Sequence, residues 1–291
     1  MSREISPTER LEEIAKRIRI KVVKMIACSG IGHAGGAVSM AEILAVLYFG
    51  ELNIDPKNPD WPDRDRFVLS KGHGCPALYA VFSEVGLISE DLLPTLHEID
   101  SPLQMHPEMG MCPGIELSTG PLGQGLSAGI GMAIGARMKG KNFRVYVLIG
   151  DGESAEGQVW EAAMFAPSKG LDNLVAIMDY NKFSLTDRVD KVMPLEPLGD
   201  KWSSFGWHVI EADGHSIPQL IAAFSEARRV KGKPTIIIAH TVKGRGISFV
   251  EDTAASHSVS FTQNQLENTL RELGCSSGEI EYAVSQMKEY H

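Results

Sequence analysis

Cysteine is scarce: the 291 residues hold four, at positions 28, 75, 112 and 275. None forms a CxxC pair or another close metal spacing, which argues against a cysteine-bound metal and leaves reduced thiols in the cytosol as the simplest account. Positive charge is also short, with 28 Lys and Arg against 37 Asp and Glu and a net charge of −9. No basic cluster offsets that balance, so neither nucleic acid nor an anionic membrane is an expected partner. Long apolar runs are missing too; none approaches the roughly 20 residues needed to span a bilayer. The first hydrophobic residues are interleaved with charge, unlike a signal peptide. Linkers rich in Pro, Gly and Ser, internal repeats and low-complexity tracts are likewise lacking. A soluble, cytoplasmic chain is expected, with residues 1–291 forming one domain around a core drawn from 43% hydrophobic residues.

What is present is a pattern of alternation. Four β-rich runs stand out, FRVYVLI (143–149), NLVAIM (173–178), WHVIEA (207–212) and PTIIIAH (234–240), with RFVLS (66–70) as an earlier fifth. Helical patterns separate most of them, notably 154–168 and 216–230. Such alternation predicts an α/β fold, a parallel sheet with helices on both faces. Segments 39–49, 76–85 and 123–139 also read as helices. The first helix opens with Ser6 as N-cap, Pro7 at the first helical position and Glu9 completing a capping box. In SMAEILAVLYFG, Ser39 and Glu42 suggest a second capping box before a terminal Gly50. Residues 262–289 read as two short, peripheral helices broken at Gly274. The irregular stretches 50–65, 97–122 and 182–200 are too long to be idle connections.

The stretch YVLIGDGESAEGQVWEA (146–162) runs an apolar strand into Asp151, flanked by Gly150 and Gly152. A carboxylate just past a strand end either serves a ligand or caps the helix that begins near Ser154. Asn181 in AIMDYNKFSL, thirty positions on, follows the next strand in the same way. Both residues thus fall beyond the carboxyl ends of strands expected to be neighbours, where open parallel sheets bind ligands. A carboxylate and an amide oxygen are hard donors suited to Mg²⁺ or Ca²⁺, and Mg²⁺ usually completes its shell with phosphate oxygens. The implied guest is a diphosphate. TGPLGQG lacks the preceding strand and the later acid of a dinucleotide fingerprint. His33, His73 and His106 show no spacing typical of a zinc site.

GDG followed at that distance by Asn resembles the thiamine-diphosphate signature. The flanking motifs resemble the amino-terminal, diphosphate-binding domain of the transketolase family, in family order: SGIGHAGGAVSMAEILAVLY (29–48), DRFVLSKGHGCPALYA (65–80), LQMHPE (103–108), LSTGPLGQGLSAGIGMAIGARM (117–138) and GDGESAEGQVWEA (150–162). The resemblance implies that Asp151, Asn181 and the backbone carbonyl of Phe183 hold Mg²⁺, with Ca²⁺ or Mn²⁺ as substitutes, against thiamine diphosphate. Gly150, Gly152 and Glu153 would bring backbone near the phosphates, while His73, Gly120, Pro121 and Leu122 would line the cofactor. His33, His106 and His257 match histidines that contact sugar hydroxyls or relay protons. Glu156 and Glu161 match acids that communicate between cofactor sites across the family dimer. The remaining histidines, His97, His208, His215, His240 and His291, read as structural.

The activity so implied is transfer of a two-carbon ketol unit from a ketose, as sugar or sugar phosphate, to an aldose acceptor. In the family, the acid that activates the aminopyrimidine and the groups that grip a sugar phosphate lie in later domains. The chain therefore looks like the amino-terminal subunit of a split transketolase, active only with a separate carboxyl-terminal subunit bearing the pyrimidine-binding domain, in an α2β2 assembly. Two rivals are the alpha subunit of a thiamine-dependent 2-oxo-acid dehydrogenase and a non-catalytic paralogue; a third relative, deoxyxylulose phosphate synthase, is a single long chain. Three departures from the family pattern leave the substrate open: Ala34 stands where proline is usual, no glycine follows Asn181, and no glycine follows His257.

Overall fold

The β-rich runs form five strands, β1 (Arg66–Leu69), β2 (Val145–Gly150), β3 (Leu174–Tyr180), β4 (His208–Asp213) and β5 (Thr235–His240). In the computed structural model, which describes residues 6–288, they pair in parallel in the order β1-β2-β3-β5-β4. His291 lies outside the described residues. The central strands are apolar throughout because both their faces are covered. Tyr146, Leu148, Val175, Ile177, Ile237 and Ala239 point into one core, and Val145, Val147, Ile149, Ala176, Met178, Ile236 and Ile238 into another. This is the alternation a strand's two-residue period imposes.

The helices are α1 (Pro7–Ser29), α2 (Gly35–Val38), α3 (Ala41–Val46), α4 (Cys75–Val85), α5 (Gln124–Met138), α6 (Gly157–Ser168), α7 (Val189–Val192), α8 (Leu198–Ser204), α9 (Ile217–Arg229), α10 (Gln263–Glu272) and α11 (Ser277–Ser285). Residues of α1, α3, α4 and α9 build the first core, and residues of α5, α6 and α8 the second. α1 begins at the expected capping box, with the Ser6 hydroxyl accepting from Glu9 N at 3.2 Å and the Glu9 carboxylate accepting from Ser6 N at 2.8 Å. α10 and α11 are separated at Gly274, whose φ of 80° ends the first of them. Among the described residues no helix is long and apolar enough to cross a membrane.

Two local expectations are corrected. The Ser39/Glu42 capping box does not form. Met40 takes the cap position of α3 without a side-chain bond, and the segment continues as a π turn over Leu47–Glu51. The Ser39 hydroxyl instead donates to the Asp179 carboxylate on β3 at 2.7 Å, and Glu42 receives both Arg19 nitrogens of α1, at 2.6 and 2.5 Å. Both groups are buried, where a charge left unpaired costs far more than an uncapped helix end. The helix expected over 154–168 divides into a 3₁₀ turn, Gly152–Ala155, and α6. Asp151 caps only that turn, accepting from Gly152 N at 2.7 Å, while α6 starts at Glu156 without a side-chain cap.

Connections decide where a ligand can sit. The chain passes from β2 to β3 through α6 and from β3 to the edge strand β4 through α8, then returns over the opposite face through α9 to insert β5 between β3 and β4. Loops leaving the carboxyl ends of β2, β3 and β5 therefore meet at one end of the sheet, the position where open parallel sheets form ligand crevices.

Candidate active site

A cavity of about 390 Å³ opens at that end. Its walls include Asp151, Gly152 and Glu153 after β2, Asn181 and Phe183 after β3, and Lys243 after β5. The loops after β2 and β3 touch. A Cβ added at Gly152 would lie 3.1 Å from Ser184 Cα and 3.8 Å from the Phe183 carbonyl oxygen, so a side chain there would press the two loops apart by a few tenths of an ångström. The Asp151 carboxylate also accepts from the Lys182 amide, stitching one loop to the other. Lys182 carries a φ of 70°, so this chain makes with lysine the turn for which glycine would be the easier residue.

Charge in the cavity is organised by Asp179, fully buried on β3. Its carboxylate accepts from Lys71, Ser39, Thr241 and Asn181 Nδ2. Burial alone would raise its pKa, but Lys71 and the hydroxyls of Thr241 and Ser39 hold it below the usual range. Because Asn181 gives its Nδ2 to Asp179 at 3.0 Å, its Oδ1 faces the other way, where it accepts from Phe183 N at 3.1 Å. Among the described residues no lysine side chain bonds Asp151 in this way. Lys71 turns to Asp179 and to the Gly36 carbonyl at 2.7 Å, and Lys243 to the Ser184 carbonyl at 2.7 Å. Burial and the Asp179 carboxylate push Asp151 up to about 7, against the pull of the Gly152 and Lys182 amides. Burial and Lys71 bring Lys243 down to about 8.

A carboxylate 2% exposed, aimed into a cavity with no side-chain cation on it, suits a metal ion. Asn181 Oδ1 and the nearby Phe183 carbonyl add two more hard oxygens. The donor set therefore fits Mg²⁺, and Lys243, bonded to a carbonyl and not to a carboxylate, fits a polyanion beside it.

Histidines make the remaining wall. The His33 ring lies 5.7 Å from His73, 6.0 Å from His106 and 5.2 Å from His257, centroid to centroid, and His73 lies 5.2 Å from His257. Burial, then neighbouring histidines and Lys243, lowers His33 to about 4; burial, then Lys243, does the same for His257. Burial and Lys71 hold His73 well below the usual imidazole range, and burial lowers His106. Around neutral pH all four rings are uncharged. Among the described residues no group of three His, Cys, Asp or Glu is placed to hold a metal ion.

Of the other residues singled out from the sequence, Gly120, Leu122 and Gly150 line the cavity, whereas Pro121 is exposed beside it. Glu153 contributes more than backbone. Its buried carboxylate accepts from the Ser70 hydroxyl, from Gly123 N at 2.8 Å and from Gly150 N at 2.9 Å, clasping three loops. Glu156 and Glu161 are exposed and stand outside the cavity. His240, at the end of β5, pairs with Glu211 at 2.9 Å and does not line it. Lys71, Asp179 and Lys243 were not singled out from the sequence; Lys71 inside SKGHG and Asp179 two residues before Asn181 carried the only local hint.

This site can be set beside known proteins. The family described as transketolase, thiamine diphosphate binding domain, matches residues 11–289. The chain belongs to the transketolase family. It is 46% identical over 263 residues to the 6-deoxy-6-sulfo-D-fructose transketolase subunit of Clostridium sp. (strain MSTE9), a match taking in 90% of this chain and 96% of that one. It is 41% identical over 265 residues to an apulose-4-phosphate transketolase subunit of Phocaeicola vulgatus, covering 91% and 94% of the two chains. Against the transketolase of Homo sapiens the identity is 42% over 266 residues, but only 42% of that longer protein is covered. The solved transketolase from Leishmania mexicana superposes with a TM-score of 0.85 at 30% identity, over 95% of this chain and 44% of that one. The chain thus spans nearly the whole of two transketolase subunits and less than half of the longer transketolases. The GDG-to-Asn signature lies within the matched domain, and thiamine diphosphate is the cofactor of that domain's description.

Proposed function

We propose that the chain is the amino-terminal subunit of a two-subunit transketolase, and that a ketose gives up its two-carbon ketol unit here to an aldose. The observation that carries the reading is the meeting of Asp151, Asn181 and the Phe183 carbonyl at the floor of a cavity walled by neutral histidines. Asp151, Asn181 Oδ1 and the Phe183 carbonyl would hold Mg²⁺, and Lys243 would offset part of the remaining charge of a diphosphate. Thiamine diphosphate, when bound, supplies a stabilised carbanion equivalent at its thiazolium carbon. The residues of this chain do the rest. His33, His73, His106 and His257, uncharged, both accept and donate hydrogen bonds, so they orient sugar hydroxyls and move protons without adding charge. Gly120 and Leu122 shape the wall against the cofactor, and Glu153 keeps the loops around it in register. Glu156 and Glu161, exposed here, fit a role at a contact with another subunit.

The relatives matched along nearly their full length are themselves named as subunits, which supports a separate partner chain carrying the pyrimidine-binding domain, in an α2β2 assembly. The partner, two copies of each chain and a cytoplasmic location belong to this reading. Mixing the chain with a candidate partner, thiamine diphosphate and Mg²⁺ tests it. Turnover of a ketose with an aldehyde acceptor is expected, with sulfonated and phosphorylated ketoses as the first donors to try. Release of CO₂ from a 2-oxo acid would transfer the reading to the dehydrogenase class, and no cofactor binding with any partner would mark a non-catalytic paralogue. Asp151→Ala is expected to weaken cofactor binding on the order of 100-fold in calorimetry, an effect larger than the loss of stability from leaving the Gly152 and Lys182 amides without their acceptor. An unfolded variant whose companion wild-type chain binds no diphosphate would return Asp151 to a purely structural role.

A further inference from the structure

Lys243 is held in the cavity by more than its own contacts. It follows Val242, and the Val242 amide donates to His215 Nε2 at 2.9 Å. A ring nitrogen that accepts an N–H carries no proton, so the His215 proton is on Nδ1, which faces Glu42 Oε2 at 3.0 Å. Glu42 in turn is gripped by both terminal nitrogens of Arg19. Four elements are linked this way: α1 through Arg19, α3 through Glu42, the turn between β4 and α9 through His215, and the segment leaving β5 through Val242. The contact depends on Gly214, because a Cβ there would come within 2.4 Å of Thr241 Cγ2. Arg19 and Glu42 are buried, and neither they nor His215 lines the cavity.

The segment so held does two things at the site. Thr241 donates its hydroxyl to Asp179, and Lys243 sends its ammonium to the Ser184 carbonyl at 2.7 Å, beside His257 Nδ1 at 3.4 Å. The geometry points to Arg19, Glu42 and His215 as a positioning relay that sets the main chain of residues 241–243 and thereby aims Lys243 at a diphosphate. This rests on the reading of the cavity as a diphosphate site. Outer partners of this kind typically change ligand affinity by about 10- to 100-fold without touching the ligand.

The test is a double-mutant cycle on the full chain with its partner subunit, reading thiamine diphosphate affinity in the presence of Mg²⁺ by calorimetry. His215→Leu, which removes the acceptor for Val242, is expected to weaken binding about tenfold and to leave kcat at saturating cofactor near that of the parent. His215→Gln keeps an acceptor of similar reach and is expected to restore most of the affinity. In a Lys243→Met background, His215→Leu is expected to cost nothing further, since the residue it positions is gone. Full additivity of the two losses, or a fall in melting temperature with unchanged affinity, would overturn the relay and leave His215 a packing residue. Asp151→Ala in the same assay separates the two ideas: if that variant binds as tightly as the parent, the diphosphate reading fails, whereas its loss beside an unaffected His215→Leu fails the relay alone.

Discussion

Glu153 shows how much a single side chain can settle. Its carboxylate satisfies two backbone amides and a hydroxyl from three loops, all buried, and burial holds its pKa above the usual carboxylate range despite those donors. Glu153→Ala orphans Gly123 N and Gly150 N together, at about 1–3 kcal/mol each. Thermal unfolding of the free chain should show a loss on the order of 3 kcal/mol, and a loss confined to cofactor affinity would refute the clasp. His33 gives a pH dependence. Its folded value of about 4 lies below the ordinary 6.5 because the ring is buried. Between those values the unfolded chain binds the proton and the folded chain does not, so stability falls as pH drops through that window and levels off below it. Replacing the ring in His33→Gln should make the melting temperature of the free chain depend less steeply on pH between 6.5 and 4; an unchanged slope would show that His33 contributes nothing to it. Neither Glu153's clasp nor the neutrality of His33 was legible in the sequence, since both arise from loops that meet only in the folded chain.

At the scale of elements, α5 separates packing from propensity. A Cβ at Gly129 would stand 2.4 Å from Val147 Cγ2 on β2, whereas a Cβ at Gly135 would meet nothing within 4 Å. Gly129→Ala should therefore cost roughly 1–3 kcal/mol through overpacking, and Gly135→Ala should add up to about 1 kcal/mol through helix propensity. Chemical denaturation of the free chain distinguishes them, and equal effects would contradict the helix-on-sheet contact. The central strands were readable as continuous apolar runs because a core covers each face of the sheet, and the first helix by its apolar face. The capping box at Ser39 and Glu42 was misread because the local pattern is real but the nearby buried charges are stronger: Asp179 captures the hydroxyl, and Arg19 the carboxylate. That Asp151 and Asn181 would come to line one cavity was readable because strand ends in a parallel sheet are predictable meeting points.

For the whole molecule, what escaped the sequence was which charges turn inward. Lys71 and Lys243 look like surface lysines in a one-dimensional string, yet they are 1% and 2% exposed once β1, β3 and β5 bring their loops together. Sedimentation of the chain with its partner should give a mass near two copies of each, and turnover should track that species; activity from the free chain would refute the shared site. The two cores end where the strands end, so the rim of the cavity, unlike its bonded floor, takes little part in holding the scaffold together. Leu185 and Val192 on its rim are 64% and 49% exposed and belong to neither core. Residues at such a margin are free to drift without endangering the architecture. Related chains can thus come to favour different sugars while the cofactor floor beneath them stays as it is.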